Sequence, residues 1–195
     1  MQFDKKFEND TKKVMSRLCP DHLGELHRLP DGLAPIKDYK SGGYTYRHVH
    51  KMPGDFMSWR AKDGKLVLVE CKTITSGMSL SIEDDNTVLR QKQGQLKTKG
   101  TGLKNHQLHS LLNVWEADGV AMLIVAFKKT NEVFLANGTT LLVWLKQGDA
   151  KGNNCSMSLE HLDTYGYKLG SVMRWAVEPH HLSCRTEQVV NPFST

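Results

Sequence analysis

Leu66-Val67-Leu68-Val69-Glu70-Cys71-Lys72 decides how this chain is read: four apolar residues run straight into a glutamate and a lysine two positions apart. Side chains alternate across a strand with period two, so Glu70 and Lys72 project from one face and Cys71 from the other. Upstream lies Lys62-Asp63-Gly64-Lys65, where Asp-Gly supplies the positive φ of a tight hairpin turn. Before that turn, Asp55-Phe56-Met57-Ser58-Trp59-Arg60 reads as a short partner strand opened by Pro53-Gly54. The hairpin therefore sets Asp55 at the place that mirrors Glu70.

Two carboxylates meeting at the end of a hairpin repel each other unless a cation neutralises them. Mg²⁺ suits such a pair, since it takes hard oxygen ligands and keeps several waters. The main-chain carbonyl of Cys71 offers a third ligand. Lys72 beside the ion can orient an attacking water, help to deprotonate it and offset charge on a phosphorane. A Glu-x-Lys on a strand by itself is common and usually marks a solvated face. Here it continues a strongly apolar run, an acid stands opposite, and a helix and a fully apolar strand follow, as a packed α/β core requires.

Outward from the hairpin, Phe3, Phe7, Val14 and Leu18 fall at helical spacing, interrupted by Thr11, and Pro20 closes that helix. Residues 28–43 hold Pro30-Asp31-Gly32, Pro35 and Ser41-Gly42-Gly43 and read as an irregular connection. Tyr44 to His50 reads as a strand. Residues 76–104 show no periodicity and read as a mobile basic loop with Arg90, Lys92, Lys97, Lys99 and Lys104. A helix is expected from Asn105 to Ala117, a doubly buried strand from Val120 to Phe127, and strands at Val133–Leu135 and Leu141–Leu145. Beyond Asp149 only a helix start at Ser158 and a strand near Val172–Val177 can be placed.

The 195 residues suit one domain rather than two. We expect a core over about 44–146, a basic loop over about 79–104 and an extension over about 149–195. Hydrophobic and charged shares of 39% and 24% are those of an ordinary globular chain. No apolar run approaches the roughly 20 residues of a membrane span, and Met1-Gln2-Phe3-Asp4-Lys5-Lys6 lacks a signal-peptide core. A cytoplasmic location follows as an expectation. Cys19, Cys71, Cys155 and Cys184 are too scattered for a zinc knuckle or a disulfide scaffold and read as reduced thiols. His48, His50, His180 and His181 assemble no closed zinc ligand set. The net charge of +5 permits a polyanionic partner without proving one.

Gly54-Asp55 followed by Glu70-Cys71-Lys72 resembles the PD-(D/E)xK nuclease signature, whose Pro-Asp half is often degenerate. Pro30-Asp31 and Pro20-Asp21 match that half literally, but neither lies on a strand beside the Glu-x-Lys strand. Over about residues 50–162 the succession Glu70-Cys71-Lys72-Thr73, Asn105-His106-Gln107-Leu108-His109, Gly119 into an apolar strand, and Ser156-Met157-Ser158-Leu159 is similar to the RecU family. That family's paired acids before the hairpin are reduced here to Asp55.

The resemblance implies an α/β fold of restriction-endonuclease type, a mixed central sheet flanked by helices. It implies a Mg²⁺-dependent Holliday junction resolvase, with Mn²⁺ able to substitute, acting as a homodimer on branched DNA in a bacterial or phage-infected cytoplasm. Asp55, Glu70 and Lys72 would be catalytic. Gln107, at the start of the following helix, would lie beside the metal and touch substrate, or be an exposed polar residue. Glu8 would reach the metal from the first helix, or simply be solvated there. Lys92, Lys97, Lys99 and Lys104 would contact phosphates, unless the run is merely solvated. Two rivals stand beside the resolvase: a nuclease of this fold with a flap, single-strand or restriction-type substrate, and a DNA-binding protein that has lost cleavage.

Overall fold

The structure, a computed structural model, describes residues 2–18, 26–29, 33–37, 44–48, 53–60, 63–83, 88, 93, 102–151 and 156–172. The doubly apolar segment becomes the central strand β7 (Val120–Phe127), all eight of whose residues are buried. On one side it is flanked in parallel by β5 (Leu66–Ile74), on the other antiparallel by β8 (Glu132–Asn137). Outside β5 lie β4 (Phe56–Trp59) and the two-residue β1 (His27–Arg28); outside β8 lies β10 (Tyr167–Ser171). The result is a mixed six-stranded sheet in the order β1-β4-β5-β7-β8-β10.

Alternation along β5 and β7 builds two cores. Val67, Val69 and Cys71 of β5, with Val120, Met122 and Ile124 of β7, join Phe7, Val14 and Met15 of α1 (Gln2–Leu18). Leu68 and Ile74, with Leu123, Val125 and Phe127, join Leu108 and Leu111 of α2 (Asn105–Glu116). Helices thus cover both faces, the architecture expected of an α/β sheet. No described helix is long and apolar enough to cross a membrane.

The hairpin forms as its sequence dictates. The Arg60 N–H donates to Lys65 O and the Gly64 N–H to Arg60 O, both at 2.7 Å, and Gly64 takes φ +71°. Arg60 Nε reaches Asp63 Oδ1 at 2.8 Å, and this pairing holds the Asp63 carboxyl down at about 2. Ser158 caps α4 (Leu159–Tyr165), accepting from the His161 N–H at 3.1 Å, where a helix start was expected.

Three expectations are corrected. Residues 28–43 are not simply a connection, since β2 (Leu33–Lys37) and β3 (Tyr44–His48) form a separate antiparallel ribbon. Pro35 is tolerated in it because a two-stranded ribbon leaves each strand an unpaired edge. Leu141–Leu145 is no strand but part of α3 (Gly138–Lys151). Asn137 Oδ1 accepts from both the N–H and the hydroxyl of Thr140 at its start, and Leu141 and Trp144 are buried at helical spacing. Tyr167–Ser171 forms a strand the sequence reading did not place, while the strand expected near Val172–Val177 lies, past Val172, outside the described residues. Of the segment read as a basic loop, residues 79–81 form β6, paired with β9 (Ser156–Ser158), and Ile82 bridges Leu103.

Candidate active site

β4 ends before β5 does, and the site lies where they part. The β4–β5 ladder stops at Phe56↔Val69. One residue further, the Asp55 N–H still donates to Val69 O at 2.9 Å, but its side chain turns along β5, where Oδ2 accepts the Cys71 N–H at 2.7 Å. A strand residue's N–H and C=O point to the same side, so the Cys71 carbonyl also faces the edge that β4 has vacated. Asp55 therefore replaces a strand partner, and it carries a negative charge to the sheet edge.

Glu70 shares the face of Leu68 and is wholly buried (0% exposed). Lys72 Nζ stands 2.5 Å from Glu70 Oε1, an ion pair by distance whose alignment leaves both Glu70 oxygens without a hydrogen bond. Burial pushes the Glu70 carboxyl up to about 7; Lys72 pulls against this, and the charges of Asp55 and Glu8 add to it. Burial likewise drives the Cys71 thiol well above its usual range, so it stays protonated and inert as a nucleophile.

α1 lays a polar stripe along this edge. Asp4, Glu8 and Thr11 recur at i, i+4 and i+7, which places them on one helix face. Asp4 accepts from the Thr73 hydroxyl, and Thr11, fully buried, engages the Cys71 thiol. Thr11 looked like a defect in the apolar stripe, yet it too meets β5. Glu8 lines the same cleft as Asp55 and Lys72, with its Oε2 2.6 Å from Arg28 Nη2. Arg28 escaped sequence reasoning because the pair spans 20 positions and arises only when β1 docks on β4. The cleft encloses about 540 Å³.

Gln107 and Lys104, the other expected site residues that the structure describes, are not among those lining the cleft. Gln107 Oε1 accepts the Lys104 N–H at 3.1 Å, capping the start of α2. Lys104 Nζ is 2.8 Å from Glu83 Oε1. Lys92, Lys97 and Lys99, and the alternative acids Asp21 and Asp31, lie outside the described residues.

The buried Glu70 carboxylate, paired on one oxygen with Lys72, lies near a second carboxylate and an edge carbonyl, oxygen donors of the kind a hard divalent cation takes. Among the described residues no group of three His, Cys, Asp or Glu side chains converges in metal-holding geometry. Such an ion would take Asp55, Glu70, the Cys71 carbonyl and waters; Glu8, on the same cleft, is paired with Arg28.

The raised carboxyl has a consequence for stability. Between about 4.5, its usual value, and about 7, folded Glu70 binds more proton than the unfolded chain, so stability falls as pH rises through that window. His161, lowered by burial, acts in the opposite sense below its ordinary 6.5, and Asp63 titrates below the window. Urea unfolding in EDTA should thus show Glu70→Gln gaining on the wild type from pH 5 to 8, by at most roughly 3 kcal/mol. A difference independent of pH would contradict the burial assigned to Glu70.

No curated protein matches the chain. The likeness read from the sequence is nonetheless borne out by a match that begins downstream of Asp55, Glu70 and Lys72 and takes in α2, β7, β8, α3, β9, α4 and β10: residues 91–180 match the model of the family RecU, Recombination protein U.

Proposed function

We propose that the chain is a Mg²⁺-dependent endonuclease hydrolysing DNA phosphodiester bonds, a Holliday junction resolvase that serves recombination and repair as a homodimer. One observation carries the reading: Asp55 and Lys72 line one cleft where β5 outruns β4, and Lys72 pairs there with the buried Glu70. The match to Recombination protein U supports the same assignment from the other half of the chain.

Mg²⁺ or Mn²⁺, when bound, supplies Lewis-acid polarisation of a phosphoryl oxygen and lowers the pKa of a water. The chain's own residues do the rest. Asp55 and Glu70 hold the charge that attracts the ion, and Asp55 also fixes the Cys71 amide, so the edge carbonyl cannot drift. The Lys72 ammonium donates hydrogen bonds to an attacking water, helps it lose its proton and offsets charge on the pentavalent phosphorus. Gln107 keeps a substrate-contact role through its NH₂, since its carbonyl oxygen serves the helix cap. Lys92, Lys97, Lys99 and Lys104 contribute phosphate contacts, with Lys104 shared with Glu83.

The test is cleavage of labelled four-way junction, flap, duplex and single-stranded DNA, with Mg²⁺ and with EDTA. Paired symmetric nicks confined to the junction and dependent on Mg²⁺ are expected. Digestion of flaps or ends would move the assignment to another nuclease of this fold, and binding without cleavage would leave a DNA-binding protein.

A further inference from the structure

Past Lys72 the cleft wall changes from charged to hydroxyl-bearing. β5 ends at Ile74, the chain passes Gly77 (φ +102°), and β6 follows on the same opening. Thr75, Ser76, Ser79 and Ser81 all line the cleft that holds Asp55 and Lys72. All four are exposed, and no hydrogen bond engages their hydroxyls among the described residues.

The lip is anchored rather than loose. Period two on β6 buries Leu80 and turns Ser79 and Ser81 outward. Leu80 pairs with Met157 of β9, and these two, with Ile82 and Leu103, are completely buried in the second core. The Leu103 N–H donates to Ser81 O at 2.8 Å, and a Cβ on Gly102 would lie 2.0 Å from that oxygen, so only glycine allows the approach.

Charge alone does not bring a polyanion to this wall. The cleft carries Asp4, Glu8 and Asp55 against Lys72, and the nearby Arg28 is engaged by Glu8. Beside three acids and a single lysine, phosphate oxygens are best met by neutral donors, and serine and threonine hydroxyls are regular partners of DNA phosphates.

We propose that Thr75, Ser76, Ser79 and Ser81 form a seat for the phosphodiester backbone next to the scissile bond, their hydroxyls donating to non-bridging phosphate oxygens. The proposal rests on the nuclease reading and names the wall along which the strand lies. Neutral donors release no condensed counterions, so their loss lowers affinity without altering its dependence on salt.

The experiment compares the wild type with Thr75→Val/Ser76→Ala/Ser79→Ala/Ser81→Ala. Anisotropy of a labelled four-way junction is read in EDTA from 50 to 200 mM salt, and KM and kcat are read in Mg²⁺. At net gains typical of neutral hydrogen bonds, affinity should fall by about tenfold or more at every salt concentration, with an unchanged slope of log affinity on log salt. KM should rise while kcat holds. If thermal unfolding shows the fourfold variant misfolded, Ser79→Ala/Ser81→Ala is read instead. Affinity and KM within twofold of the wild type overturn the seat, and so does a shallower salt slope, which would mean that charged contacts were lost. The EDTA arm does not depend on catalysis, so a wild type that binds but cuts nothing fails the nuclease reading separately.

Discussion

Glu70→Gln is expected to lose DNA cleavage by at least about 10³-fold while unfolding at no lower temperature than the wild type. Most losses of activity in buried variants are ambiguous, because the protein may simply unfold. Here the two effects have opposite signs. A buried carboxylate without an aligned hydrogen bond costs stability in the metal-free protein, and a neutral amide of the same shape relieves that cost. Asp55→Asn offers the matching control. Its amide oxygen can still accept the Cys71 N–H, so the edge of β5 stays fixed while the charge that draws a cation is gone. DNA binding should survive in both variants, since the proposed role of the carboxylates is to hold metal rather than phosphate. Rates near wild type in Asp55→Asn and Asp55→Ala would remove Asp55 from the site and bring Asp31 forward.

Lys72→Ala should lose about 10²- to 10⁴-fold in kcat yet still bind Mg²⁺. In the proposed mechanism Lys72 acts on the attacking water and the developing charge, whereas oxygens would hold the ion. Lys72→Arg should rescue poorly, because the wider, planar guanidinium fork cannot place a donor where the compact ammonium does. The substitution also removes the main attraction that opposes burial at Glu70, so the carboxyl should move further upward in the metal-free variant. Single-turnover cleavage of a junction at saturating protein measures the rate effect directly. Full activity in Lys72→Ala would reduce Lys72 to a charge compensating Glu70.

What the chain discloses in one dimension follows the range of each interaction. The Asp63-Gly64 turn, the apolar run into Glu70 and the doubly buried Val120–Phe127 depend on neighbours in sequence or on simple period, and each stands where the sequence places it. Leu141–Leu145 misleads because five apolar residues fit a strand or a helix equally; the cap from Asn137 and the burial at Leu141 and Trp144 settle it as helix. Pro35 reads as a break, but the ribbon strand that contains it has an edge to spare. At the site, Glu70 and Lys72 share a face by alternation alone, so that pairing was legible. The bond from Asp55 to the Cys71 amide was not, because it exists only where the register gives out. Arg28 against Glu8 and Thr11 against Cys71 are likewise products of packing between distant elements. Gln107 illustrates the converse, since a polar residue three positions into a helix is also what caps it.

The account turns on whether Asp55 and Glu70 together hold a divalent ion, and calorimetric titration of the metal-free protein with Mn²⁺ tests this without any DNA. The wild type is expected to bind Mn²⁺ more tightly as pH rises through about 7, where Glu70 gives up its proton, and Glu70→Gln and Asp55→Asn are expected to show little or no binding heat. Equal binding in all three proteins would contradict the account, because the ion would then lie somewhere other than the vacated edge of β5.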